Sequence, residues 1–182
     1  MPKILIAAAA GRVARRVTAT LCARGEPPRA LVRDAPKARD VLVDDRGAPL
    51  PLEIVASDFA DRDGLRRAFA GIEIAFLALG SSPQQVELEQ RFIDVAAEVG
   101  LPHLVEQSAA YARSDSVASV LRWHAAIESH LMLNGMEIQA PVDEQEEIIL
   151  SLAAGQTDRD SFTDWLRSHV YALKGNQDGF ET

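Results

Sequence analysis

The residues with chemistry to offer gather first around one alanine-rich turn, Ala7-Ala8-Ala9-Ala10-Gly11-Arg12-Val13-Ala14, where an apolar run gives way to helical spacing. The opening N–H groups of a helix have no partner within it, so Gly11, Arg12 and Val13 could present them to an anion such as a phosphate at the positive end of the helix dipole. Arg33 and Lys37 follow the second apolar run and could add positive field there; solvated surface charge is the other reading of both. His103, His124, His130 and His169 have no metal-ligand spacing, and Cys22 has no second cysteine to join them, so no metal site is expected. The acids Glu144, Glu146 and Glu147 fall in a helical first turn, where the macrodipole explains them.

These residues need elements to hold them. Residues 3–7 are almost wholly apolar, as in a strand covered on both faces. From Arg12 the spacing is helical, with Val13, Val17 and Leu21 on one stripe and Cys22 towards the buried side, ending at Gly25. Arg29–Val32 and Leu52–Ala56 read as strands around a variable, charged stretch. Asp61–Ala70 reads as a helix, Ile74–Leu79 as a strand, Val86–Val99 as a helix, His103–Gln107 as a strand, Val117–Leu133 as a long helix, and Glu137–Ala140 as a sixth strand. Strands separated by helices imply right-handed crossovers, hence an α/β fold with a doubly wound parallel sheet of about six strands, Rossmann-like. The Gln84–Gln85 turn and the charges from Asp61 to Arg67 read as solvated. After Pro141 the character changes: Asp143 and Glu146 fit a capping box, a second helix should start near Asp158–Asp160, and Phe162, Trp165, Leu166 and Val170 share one face. Two regions are therefore expected, 1–141 for the sheet and 142–182 for a helical hairpin.

In order along the chain come the turn at Gly11, Ala-Leu-Val-Arg33-Asp34, Ser-Asp58-Phe, Phe-Leu-Ala-Leu-Gly80, the run Phe-Ile-Asp-Val-Ala-Ala-Glu-Val-Gly-Leu-Pro-His-Leu-Val leading to Ser108, and Arg-Trp-His124-Ala-Ala-Ile-Glu128. Over about residues 3–140 this sequence resembles the NmrA-like branch of the atypical short-chain dehydrogenases. The resemblance implies a dinucleotide bound by Ala8, Gly11, Arg12, Val13, Arg33, Lys37, Asp58, Gly80 and Ser108, with His124 facing the nicotinamide as the catalytic candidate. An imidazole there could orient a carbonyl or exchange a proton near neutral pH. Ala8 and Ala14 stand where the family has its first and last motif glycines. Alanine is an accepted variant in the last place; at Ala8 a Cβ would intrude if the backbone needs positive φ, leaving open either a narrowed site or a fold that has lost the dinucleotide. Arg33, where an acid would hold the ribose hydroxyls of NAD, favours the 2′-phosphate of NADP. Asp58 would lie near the adenine, or cap a helix. Tyr111 has Asp115 and not Lys four residues on, so the usual Tyr/Lys acid pair of short-chain reductases is absent.

The chain has 182 residues and a net charge of −8, with hydrophobic residues at 47%. That excess of acid opposes nucleic acid or an anionic membrane as partner, and no apolar run spans a bilayer. With a lone cysteine and no secretory-type opening, a cytoplasmic protein is expected. Three functions fit: an NADP-dependent reductase of a small carbonyl or quinone, a non-catalytic NADP(H) sensor, and a degenerate scaffold acting through protein interaction. The aromatic stripe of the hairpin is expected either to make a symmetric homo-oligomer or to fold back over the sheet edge.

Overall fold

The computed structural model describes residues 2–135 and, beyond them, positions 144, 147, 148, 151, 156–158, 160, 161, 164, 165 and 168. Five strands alternate with helices: β1 (Ile4–Ile6), α1 (Arg12–Ala23), β2 (Arg29–Val32), α2 (Ala35–Val41), β3 (Glu53–Ala56), α3 (Arg62–Phe69), β4 (Ile74–Leu77), α4 (Gln85–Glu98), β5 (His103–Glu106) and α5 (Ser119–Leu133). All pairings are parallel and the order is β3-β2-β1-β4-β5. This is the expected α/β Rossmann-like sheet with five strands among the described residues; the sixth, Glu137–Ala140, lies outside them. The chain order reverses between β1 and its neighbours β2 and β4, which opens a crevice at the carboxyl end of β1.

Leu5, Ile6, Ala30, Leu31, Ala75 and Leu77 are buried in the central strands, which explains their uninterrupted apolar runs. On one side Phe92 of α4 packs on Phe59 and Phe69, with ring centroids 5.4 and 4.8 Å apart, a spacing at which aromatic rings attract. Arg29, polar inside β2, is held by donating from Nη1 to the carbonyls of Ala68 and Ala70, both at 2.8 Å, while its Nε lies 2.9 Å from Glu53 Oε1. One guanidinium thus fastens the end of α3 to β2 and β3, at the sheet end away from the crevice.

Several local expectations are corrected. The charged stretch after β2 contains a helix, α2, capped by Asp34 Oδ1 accepting from Lys37 N at 3.1 Å, with Pro36 in its first turn; its seven residues carry too little apolar periodicity to stand out. On α1 the fully covered positions are Ala14 and Thr18, and Val17 and Leu21 of the expected stripe pack on the core beside them, while Val13 is 42% exposed and Cys22 only half-buried. Gln85 is fully buried although Gln84 beside it is exposed. Val117 precedes α5 and is entirely exposed.

The chain divides into two compact units, Met1–Asn134 and Gly135–Thr182. In the second, the described positions from 144 to 151 and from 160 to 168 are helical. Asp158 Oδ1 accepts from Ser161 N at 2.7 Å at the start of the second stretch, and Trp165 Nε1 donates to Glu144 Oε1 at 2.9 Å, tying the two stretches together. Asp143, Glu146, Phe162, Leu166 and Val170 lie outside the described residues. No helix among those described is long and apolar enough to cross a membrane.

Candidate functional site

The β1–α1 turn sits in the crevice. Ala7 N donates to Phe76 O at 2.8 Å and Ala9 N to Leu31 O at 3.1 Å, so the turn is strapped to both neighbouring strands. It then reverses through Gly11 N donating to Ala8 O at 2.7 Å. Ala8 carries φ 50°, the left-handed conformation in which glycine is at ease and alanine is strained. The backbone shape of the motif is therefore kept with the wrong residue in it. A Cβ at Gly11 would lie 3.0 Å from Ala8 O, tighter than ordinary contact, so any larger residue there would have to displace the turn by a few tenths of an ångström.

Gly11 is the N-cap of α1, with no side-chain cap and no acid in the first turn. The N–H groups of Arg12, Val13 and Ala14 thus point out of a helix end with nothing competing for an anion. These features fit a dinucleotide pyrophosphate, and Ala8 fits it least well through its methyl.

Arg33 follows β2, exposed, and pairs with no carboxylate among the described residues. Lys37 is turned to Asp34, 3.3 Å from Nζ to Oδ2; the backbone bond from Lys37 holds the Asp34 carboxyl below its ordinary range. Asp58, exposed after β3, accepts from Ala60 N at 2.8 Å in a tight turn, and Asp61 caps α3. Gly80 is exposed just past β4. Ser108, past β5, donates its hydroxyl to Glu128 Oε1 of α5. Tyr111 is 86% exposed at φ 64°, and Asp115 is held by Arg113 at 3.0 and 2.8 Å, so neither belongs to an acid pair of the Tyr/Lys kind.

His124 lies on the inner face of α5, beside a group of residues that the sequence did not single out. Its Nδ1 is 3.5 Å from Glu106 Oε1, the last residue of β5, with side chains 9% and 5% exposed. Gln85 Nε2 donates to Glu89 Oε1 at 3.1 Å, both fully buried on α4. Desolvation and then the neighbouring charges of Glu89 and Glu128 push the Glu106 carboxyl up to about 8; burial pushes Glu89 up to about 7 against the hydrogen bonds from Gln85 and the Leu79 backbone. Burial lowers His124, opposed by Glu128. Near neutral pH, His124 and Glu106 therefore meet as neutral groups. One signal was available: Gln85, Glu89, Phe92 and Ala96 fall at helical spacing, so the two polar residues share the stripe of the buried ones. Among the described residues no three His, Cys, Asp or Glu side chains are placed to hold a metal ion.

Comparison with known proteins agrees with the crevice. The chain is 29% identical over 133 residues to the NAD(P)H azoreductase of Xenophilus azovorans, a match covering 73% of this chain and 44% of the relative. Triphenylmethane reductase of Citrobacter, solved with NADP(H), superposes with a TM-score of 0.60 at 20% identity, covering 72% of this chain and 45% of that one. The NADPH-dependent quinone oxidoreductase of Escherichia coli, solved with NADPH, gives 0.61 at 20% identity over the same shares. The chain thus spans less than half the length of these relatives. A family model described as NAD(P)H-binding matches residues 8–137, from the strained Ala8 to beyond α5. The chain belongs to this NAD(P)H-binding family, in the NmrA-like, atypical short-chain dehydrogenase group.

Proposed function

We propose that this chain binds NADPH in preference to NADH and serves a reductase that passes hydride to a small carbonyl or quinone acceptor. The observation that carries the reading is the uncapped, acid-free N-terminus of α1 behind the left-handed turn at Ala8, in a chain of the NAD(P)H-binding family. The N–H groups of Arg12, Val13 and Ala14 would hold the pyrophosphate, Arg33 the 2′-phosphate, and Asp58 the adenine side. The dihydronicotinamide, when bound, supplies the hydride. His124 would then face the acceptor and exchange the proton that accompanies reduction.

Support for turnover comes from what the relatives are: an azoreductase, a triphenylmethane reductase and a quinone oxidoreductase. A non-catalytic sensor of NADP(H) is the second reading, favoured by the exposed Tyr111, whose partner at the acid-pair spacing is Asp115. The substrate is a small molecule in the first reading, and the second copy of this chain is the proposed partner of the C-terminal unit. Titration calorimetry with NADPH and NADH tests cofactor and preference together. NADPH should bind more tightly, and Arg33→Asp should weaken NADPH by about tenfold or more while changing NADH little, because a charge-assisted contact becomes repulsion. No binding of either cofactor rejects both readings; binding without quinone reduction selects the sensor.

A further inference from the structure

We infer that Glu106 is a proton store for His124: a buried carboxylic acid whose O–H faces imidazole Nδ1 and reloads the ring when Nε2 gives its proton to a reduced acceptor. The inference rests on the reductase reading above for its acceptor, and on the following geometry for the relay.

Glu106 Oε1 and His124 Nδ1 are both buried and neither makes a hydrogen bond, although they lie 3.5 Å apart. A buried polar atom without a partner is costly, and here one proton placed between the two atoms satisfies both. A carboxylate facing the lone pair of a neutral Nδ1 would leave both atoms unsatisfied and repelling. Three arrangements remove that conflict: Glu106 O–H with the Nε2–H tautomer, Glu106 carboxylate with an imidazolium, and Glu106 carboxylate with the Nδ1–H tautomer; burial of both side chains disfavours the charged pair. The two arrangements with a neutral ring differ by one proton passed through it, which is what a relay requires.

The surroundings choose the first as the resting state. Glu89 on α4 and Glu128 on α5 are the carboxyls acting on Glu106, with His124 the only other titratable group set against it among the described residues. Glu89 is itself buried with Oε2 unpartnered. Neighbouring carboxyls in a water-poor site do not all ionise, so a proton stays on the Glu89–Glu106 pair. Glu128 is occupied by the Ser108 hydroxyl.

Hydride adds to a quinone, which gains two electrons and becomes the hydroquinone monoanion, and the dihydronicotinamide is oxidised. The Nε2–H bond of His124 breaks as the new O–H bond of the hydroquinone forms. The Glu106 O–H bond breaks as Nδ1–H forms, leaving Glu106 a carboxylate; a proton from water then adds at His124 Nε2 as the Nδ1 proton returns to Glu106, which restores both groups. A triarylmethyl cation needs no such proton, since hydride alone neutralises it. Glu106 touches neither acceptor nor cofactor, so its role is positional: it fixes the tautomer and resupplies the ring.

The test reads His124 directly. Isotope-labelled histidine in the full chain without cofactor should show the Nε2–H tautomer at neutral pH, and a step in its nitrogen shifts as pH passes about 8, where Glu106 ionises. The step should vanish in Glu106→Gln and move to lower pH in Glu89→Gln, which removes a neighbouring charge while keeping Glu106. An Nδ1–H tautomer at neutral pH, or a step that persists in Glu106→Gln, overturns the inference. In turnover with NADPH, Glu106→Gln should lower the ratio of quinone rate to triarylmethyl-cation rate by about tenfold or more; an unchanged ratio overturns it. Failure to reduce either acceptor rejects the reductase reading instead, and the histidine spectra, which need no cofactor, still decide the relay.

Discussion

At the scale of single residues, two alterations of an otherwise ordinary sheet matter most. Ala8 keeps a left-handed φ of 50°, a conformation costing an alanine roughly 1–2 kcal/mol. Ala8→Gly relaxes that strain while adding about 0.4–1 kcal/mol of unfolded-chain entropy, so thermal unfolding should show stability kept or raised. Calorimetry should show NADPH binding tightened as the methyl leaves the phosphate approach; a loss of stability would mean that the turn relaxes in solution. Glu106 gives the second expectation. Its carboxyl is raised from 4.5 to about 8 in the folded chain. The stability this proton binding contributes is full below the unfolded value and is lost as pH rises through about 8. Glu106→Gln removes the dependence, so the variant should gain on the parent in melting temperature from pH 5 to pH 8. Parallel curves would show that Glu106 ionises freely.

At the scale of elements, the site depends on how closely α3 follows β3. Gly64 lies within the first turn of α3, where its N–H donates to Asp61 Oδ1 at 2.9 Å. A Cβ there would fall 1.9 Å from Ser57 Oγ and 2.5 Å from Asp61 Oδ2. Gly64→Ala must push the cap and the end of β3 apart, against the small gain in helix propensity that alanine brings. The expected cost is about 2 kcal/mol or more, read as a lowered denaturation midpoint. An unchanged midpoint would show that Ser57 simply turns away. The charges on the same helix are different in kind: Arg66 meets Asp63 at 2.6 Å and Glu98 at 2.9 Å, all largely exposed, and such pairs contribute little singly.

At the scale of the whole molecule, the proposed self-association belongs to the C-terminal unit, in which Trp165 and Glu144 join the two helical stretches. Sedimentation of the full chain should give a dimer, and Trp165→Ala should shift the mass towards the monomer while the melting of the sheet unit persists. A monomer at all concentrations would reject the dimer and favour the stripe folding back on its own chain.

The sequence alone marks the alternation of strand and helix, because buried parallel strands must be continuously apolar and helices must carry a 3.6-residue stripe. It also located the turn at Gly11 and the cation after β2, since both follow from position along the chain. It missed α2, whose seven residues are announced only by Asp34 and Pro36. Tertiary structure alone decided the rest. That Ala8 holds positive φ follows from hydrogen bonds to β2 and β4, strands distant in sequence. That Glu89, Glu106 and His124 become neighbours follows from α4, β5 and α5 closing on one another. The burial of Glu106 and His124, and with it the shift in their protonation, is a property of long-range packing that no local spacing encodes.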